Sequence, residues 1–153
     1  MKNVEQEKLS VNSLGVTHLF FLRFLIMQLD TINKLKLWEV LDYYDDPQFY
    51  SCKDVTGQIY IVFWADVNEG NDYWLYLKVS PKRYLALKNG RLPIRDVLGK
   101  PEEGIVYLVI KGNDIFDLKV LSSEQIDQSW LPEPDDYLAI RYPNHSRKNY
   151  DCY

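Results

Sequence analysis

From Leu37 onward apolar residues recur at every second position, in short runs cut by turn residues. A chain patterned this way is restricted to a sheet of hairpin-linked strands. Residues 37–44 (LWEVLDYY) read as a strand, Asp45-Asp46-Pro47 as a turn, and residues 48–53 as the antiparallel return. A second turn at 54–57 leads into QIYIVFWA at 58–65, which is apolar on both faces and therefore belongs at the centre of the sheet. Residues 66–72 (DVNEGND) read as a polar loop, and YWLYLKV at 73–79 pairs back. Ser80 before Pro81 is a helix start, because a hydroxyl can cap the first free N–H groups and proline has none to leave unsatisfied. The helix over 82–88 stops at Asn89-Gly90, and a second short one is expected over 93–98. EGIVYLVIK at 103–111 is another strand buried on both faces, Asn113-Asp114 a turn, and 115–121 its partner. Ser122 to Gln125 caps a short turn of helix that ends near Trp130. The expectation is an α+β fold: a mainly antiparallel sheet of about five to six strands, with one or two short helices inserted after the fourth.

At 153 residues the chain has the length of one domain, and 46% apolar with 26% charged residues is ordinary globular composition. Three segments differ in character. Residues 1–36 form an N-terminal extension, 37–138 the α+β domain, and 139–153 a loosely attached tail with little hydrophobic patterning. Within the extension, LFFLRFLIM at 19–27 is too short to span a membrane, which takes about 20 apolar residues. It reads as a docked helix, as a helix for a partner or membrane surface, or as sequence upstream of a native start at Met27 in place of Met1. Cys52 and Cys152 are far apart, a usage that points to reduced thiols in a cytoplasmic protein.

Net charge is −4, but it is unevenly spread: +2 over residues 1–36, −8 over 37–138 and +2 over 139–153. Inside the acidic domain, residues 78–100 carry Lys78, Lys82, Arg83, Lys88, Arg91, Arg95 and Lys100 against Asp96 alone. One reading is ordinary solvation of helix faces. The other is a basic patch on an acidic molecule, which favours self-association through a region from Tyr73 to Arg95 or a partner of mixed charge. Acidity also argues against binding a phosphate backbone, although Tyr76, Lys78, Arg83 and Tyr84 together offer a base-stacking surface.

Aromatic residues make up 14% of the chain, twelve of them tyrosines. Tyr43, Tyr44, Tyr50, Trp64, Tyr73, Trp74 and Tyr76 fall on strands and cannot all face one core, so some of them reach the surface. Large aromatics and arginines dominate binding surfaces, which makes Tyr43, Tyr44, Trp74, Arg83 and Arg91 the candidate interaction residues.

Chemistry is harder to find. The sequence has no G-x-S-x-G elbow and no glycine-rich phosphate loop, and His18 and His145 stand far from either cysteine. No cofactor is implied. Glu39, Asp42, Asp45 and Asp46 invite a metal reading, with Asp42, Asp45 and Asp46 as ligands and Asp66, Glu69 or Lys78 as later additions. Asp-Asp-Pro is equally good turn chemistry.

The run LWEVLDYYDDPQFY, followed by GQIYIVFW, PEEGIVYLVI and SWLPEPDDYL, resembles a group of small uncharacterised bacterial proteins. Their shared pattern is a strand ending D-Y-Y-D, a Y-x-V-x-W strand and a W-L-P-x-x-D-x-Y-L closing motif, here spanning residues 37–138. The resemblance implies a bacterial cytoplasmic protein and transfers no activity. Two functions are therefore carried forward. One is a non-catalytic module that binds another protein, as an accessory or inhibitory subunit of a defence or toxin-neutralising system would, and that self-associates. The other is a metal-dependent enzyme or small-ligand binder built on the Asp42/Asp45/Asp46 hairpin.

Overall fold

A computed structural model describes residues 19–44 and 46–138, with the side chains of Tyr43 and Tyr44 excepted. Helix α1 (19–33) comes first and is followed by strands β1 (Lys36–Tyr44), β2 (Asp46–Lys53), β3 (Ile59–Asn68) and β4 (Asn71–Val79). Helices α2 (Pro81–Lys88) and α3 (Ile94–Gly99) precede β5 (Ile105–Lys111) and β6 (Phe116–Ser122). Two single turns of 3-10 helix, Ser123–Gln125 and Gln128–Trp130, come last. The chain divides into two compact units, with the boundary between Lys34 and Leu35. In the second unit the six strands pair antiparallel in chain order, β1 to β6, which gives the expected α+β architecture. The tail expected over 139–153 lies outside the described residues.

One face of the sheet carries the main core. Phe49, Ile59, Ile61, Leu75, Leu77, Val79, Val106 and Leu108 project from the strands onto Tyr84 and Leu87 of α2 and Ile94, Val97 and Leu98 of α3. The opposite face is apolar too, with Tyr60, Val62, Tyr76, Tyr107 and Val109 all buried. β3 and β5 are thus buried on both sides, as their uninterrupted apolar runs require.

Residues 66–72 are a correction to the sequence reading. They are not a loop: β3 runs on to Asn68, β4 starts at Asn71, and only Glu69 and Gly70 turn the chain. Both have positive φ, 52° and 77°, the arrangement of a type I′ turn, whose twist matches that of the strands it joins. Polar composition hid the hairpin because its far end stands clear of the core, where Val67, Asn68, Glu69 and Gly70 are all exposed.

Helix α2 follows the local signals closely. Ser80 Oγ accepts from the N–H of Arg83 at 3.2 Å, and Pro81 opens the first turn. At the other end Gly90 adopts φ 67°; its N–H reaches Leu87 O and that of Arg91 reaches Ala86 O, the paired bonds of a Schellman cap. The Arg83 guanidinium then donates from Nη2 to the carbonyls of Asp96 (2.8 Å) and Lys100 (2.6 Å), tying α2 to the end of α3.

Two leucines of α2 test this packing. Leu87 is 0% exposed among core side chains, whereas Leu85 is 58% exposed. Leu87→Ala is expected to lower unfolding free energy by about 2–5 kcal/mol, with Leu85→Ala within about 0.5 kcal/mol of the parent. Urea denaturation of both variants measures the difference.

Candidate functional site

The densest polar arrangement lies where β1 and β2 meet α2. The β1–β2 register places Glu39 opposite Ser51, on the face that α2 covers. Ser51 is completely buried. Tyr84 sits one helical turn before Lys88, so both side chains leave the same side of α2. Tyr84 Oη donates to Glu39 Oε2 at 2.8 Å, and Lys88 Nζ donates to Glu39 Oε1 at 2.7 Å. Since the phenol has one proton, the 2.8 Å contact between Ser51 Oγ and Tyr84 Oη has the serine as donor. Protons therefore all point toward the carboxylate: serine to tyrosine, tyrosine to glutamate, lysine to glutamate. The Trp38 ring lies 5.0 Å from that of Tyr84, and Lys53 Nζ stands 3.5 Å above the Trp38 ring.

Burial pushes the Tyr84 phenol well above the ordinary tyrosine range; the hydrogen bond from Ser51 opposes this, while the bond to Glu39 and its charge add to it. A phenol held protonated is a donor and not a base at neutral pH. With Ser51 sealed from solvent, the cluster acts chemically as a strut that fixes α2 against the first hairpin, with the Glu39–Lys88 pair forming its half-exposed outer end.

On the opposite face a second cluster forms around Tyr76. Lys111 Nζ donates to Tyr76 Oη at 3.0 Å and lies 5.6 Å from the Trp74 ring centre. The Trp74 ring meets Tyr50 edge-on at 6.0 Å, and Tyr50 hydrogen-bonds Tyr76. Desolvation holds Tyr76 far above its usual range and lowers Lys111, the latter against the pull of nearby Cys52 and Asp72. Tyr60 is pushed up to about 12 by burial, with the charges of Asp54, Tyr107 and Glu103 adding to it.

The residues singled out from sequence are scattered. Arg91 is exposed, and Trp74 is half-buried in the second cluster. Arg83 is occupied by two backbone carbonyls. Tyr43 and Tyr44 occupy β1 opposite Pro47 and Asp46. Asp42 and Asp46 are exposed on β1 and β2, while Asp45 lies outside the described residues. Among the described residues no three His, Cys, Asp or Glu side chains converge as a metal site would need. Tyr76 and Tyr84 lie on opposite faces of the sheet, both buried, so they do not form one stacking surface. Much of the basic segment is engaged within the chain: Lys78 with Glu103, Lys88 with Glu39, Lys100 with Asp96, and Arg95 with Pro132 and Gln128. Sequence reading missed the Ser51–Tyr84–Glu39 chain because its members lie far apart. The available signal was Glu39 and Ser51 at strand positions whose neighbours two residues away, Leu41 and Phe49, pack into the core.

Removing the phenolic oxygen takes away the short partner of the buried Ser51 hydroxyl and leaves it the Glu39 carbonyl at 3.4 Å. Tyr84→Phe is expected to cost about 1–3 kcal/mol, and Lys88→Ala, which breaks a partly exposed pair, less than about 1 kcal/mol. Denaturant unfolding at pH 7 compares them. The raised tyrosines also set an alkaline limit. Below the ordinary tyrosine value of about 10 their contribution is complete; above it the unfolded chain loses phenolic protons that the folded chain keeps, so stability falls. Ultraviolet titration should show Tyr60 ionising near 12 and Tyr76 and Tyr84 ionising only with unfolding.

No helix among the described residues is long and apolar enough to cross a membrane. No curated protein and no solved structure matches the chain. A family model does, over residues 24–139, a span that holds all six strands and their helices and starts within α1, ahead of the boundary read at Leu37. The chain belongs to that family, a family of unknown function (DUF6575).

Proposed function

We propose that this chain is a non-catalytic protein-binding module, an accessory or inhibitory subunit that works in the bacterial cytoplasm and self-associates. The observation that carries this reading is α1. Leu19, Phe20, Phe21, Leu22, Phe24, Ile26 and Met27 are all exposed, an apolar surface of a kind that in water marks a contact site. Trp38 on edge strand β1 is exposed as well. Exposed Arg91, with Trp74, adds residue types that anchor interfaces. The polar cluster at Tyr84 supports the same reading from the other side, since its serine is sealed and its tyrosine stays protonated.

The alternative is a metal-dependent enzyme or small-ligand binder using Asp42, Asp45 and Asp46, favoured by the exposure of Asp42 on β1 and Asp46 on β2. Purification of the tagged full chain from its native cells separates the two. A protein partner is expected to remain bound in stoichiometric amount, and the pair Phe20→Ser and Ile26→Ser should weaken it by about 1–3 kcal/mol per residue. The pair Asp45→Asn and Asp46→Asn should retain it. Loss of cellular function in the aspartate variant, with the apolar variant fully active and both folded, would overturn the reading.

A further inference from the structure

The open sheet ends in two very different edges. β1 pairs with β2 through three register irregularities, between Leu37 and Glu39, Val40 and Asp42, and Asp42 and Tyr43. Such breaks twist an edge and blunt it against further pairing. β6 has none: from Phe116 opposite Lys111 to Ser122 opposite Ile105 its register with β5 is continuous. Among the described residues no strand pairs with its outer side.

The backbone groups on that side follow from the hairpin. Gly112 N–H donates to Ile115 O at 2.8 Å, which makes this a hydrogen-bonded pair. Bonded and non-bonded pairs alternate along an antiparallel ladder. Asp117, Lys119 and Leu121 therefore turn their N–H and C=O groups toward β5, and Phe116, Leu118 and Val120 turn theirs outward. Ser122 also points outward, but its N–H is taken by Gln125 Oε1 at 2.9 Å, which closes the edge at that end.

We propose that β6 is a self-pairing edge, on which a second copy of this chain adds its own β6 antiparallel about a two-fold axis at Leu118. The sequence IFDLKVL is complementary to itself in this register alone among its neighbours. Leu118 meets Leu118 of the partner subunit, Phe116 meets the partner's Val120, and Ile115 meets the partner's Leu121. Asp117 meets the partner's Lys119, twice by symmetry, at non-hydrogen-bonded positions where opposing side chains come closest. Sliding the register by one pair in either direction sets Asp117 against itself or Lys119 against itself, which like charges resist. Exposed Ile115 and Phe116 supply apolar area, and exposed Asp117 and Lys119 are available for the pairing. This contact rests on the self-association in the proposed function, to which it gives an interface, and is independent of binding to a different protein. Within the region between Tyr73 and Arg95, β4 is flanked by strands on both sides and has no edge of its own to offer.

Sedimentation of the full chain between about 1 and about 500 μM tests the proposal, because an interface built on one strand edge lies at the small, weak end of specific contacts. A concentration-dependent dimer is expected, weaker at high salt. Asp117→Lys alone and Lys119→Asp alone each place like charges opposite one another and should raise the dissociation constant about tenfold. The double reversal, Asp117→Lys with Lys119→Asp, should restore it. Unfolding midpoints of all variants control for folding, since both side chains are on the surface. A monomer throughout the range, a dimer indifferent to the single reversals, or a double reversal that fails to restore pairing would each overturn it.

Discussion

Strands that pair in chain order leave a sheet without a cover unless one connection crosses a face, and here that task falls to the segment between β4 and β5. Residues 80–104 hold α2 and α3, whose Tyr84, Leu87, Ile94, Val97 and Leu98 meet the apolar side chains of the central strands. Burial on this scale is what outweighs the entropy of ordering the chain. The polar contacts around it set position: Arg83 binds α2 to α3 through two carbonyls, and Tyr84 binds α2 to the first hairpin through Ser51 and Glu39.

Much of this architecture is legible in the sequence where a rule is local. Ser80-Pro81 and Asn89-Gly90 bracket α2 because capping depends on a few adjacent residues, and QIYIVFWA lands in the sheet interior because an all-apolar strand has nowhere else to go. The hairpin at Glu69-Gly70 escapes because glutamate is an uncommon first residue of a type I′ turn and polar tips read as loops. The candidate site escapes for a different reason. Glu39, Ser51, Tyr84 and Lys88 are assembled by strand pairing and helix packing, neither of which leaves a spacing along the chain. Basic residues over 78–100 show the converse: a charge run reads as one surface, yet ion pairs and backbone carbonyls within the fold take up most of it.

Tyrosine abundance has a double origin. Tyr60, Tyr76, Tyr84 and Tyr107 are core residues whose rings fill space and whose hydroxyls need partners or the margin of the sheet. Tyr137 is exposed, and Tyr73 lies against Trp130 with ring centres 5.9 Å apart. Composition alone announces an aromatic-rich surface, and packing assigns a good share of that aromatic area to the interior.

Strand order equal to chain order has a kinetic side. Every neighbouring pair except β4 and β5 is separated by a short turn, so each ladder forms by closing a small loop. Domains dominated by such local pairings fold faster than sheets that must bring distant segments together first. The longest loop to close is the return across residues 80–104, which joins the strands β1 to β4 to the β5–β6 hairpin and so carries the largest loop-closure entropy in the sheet.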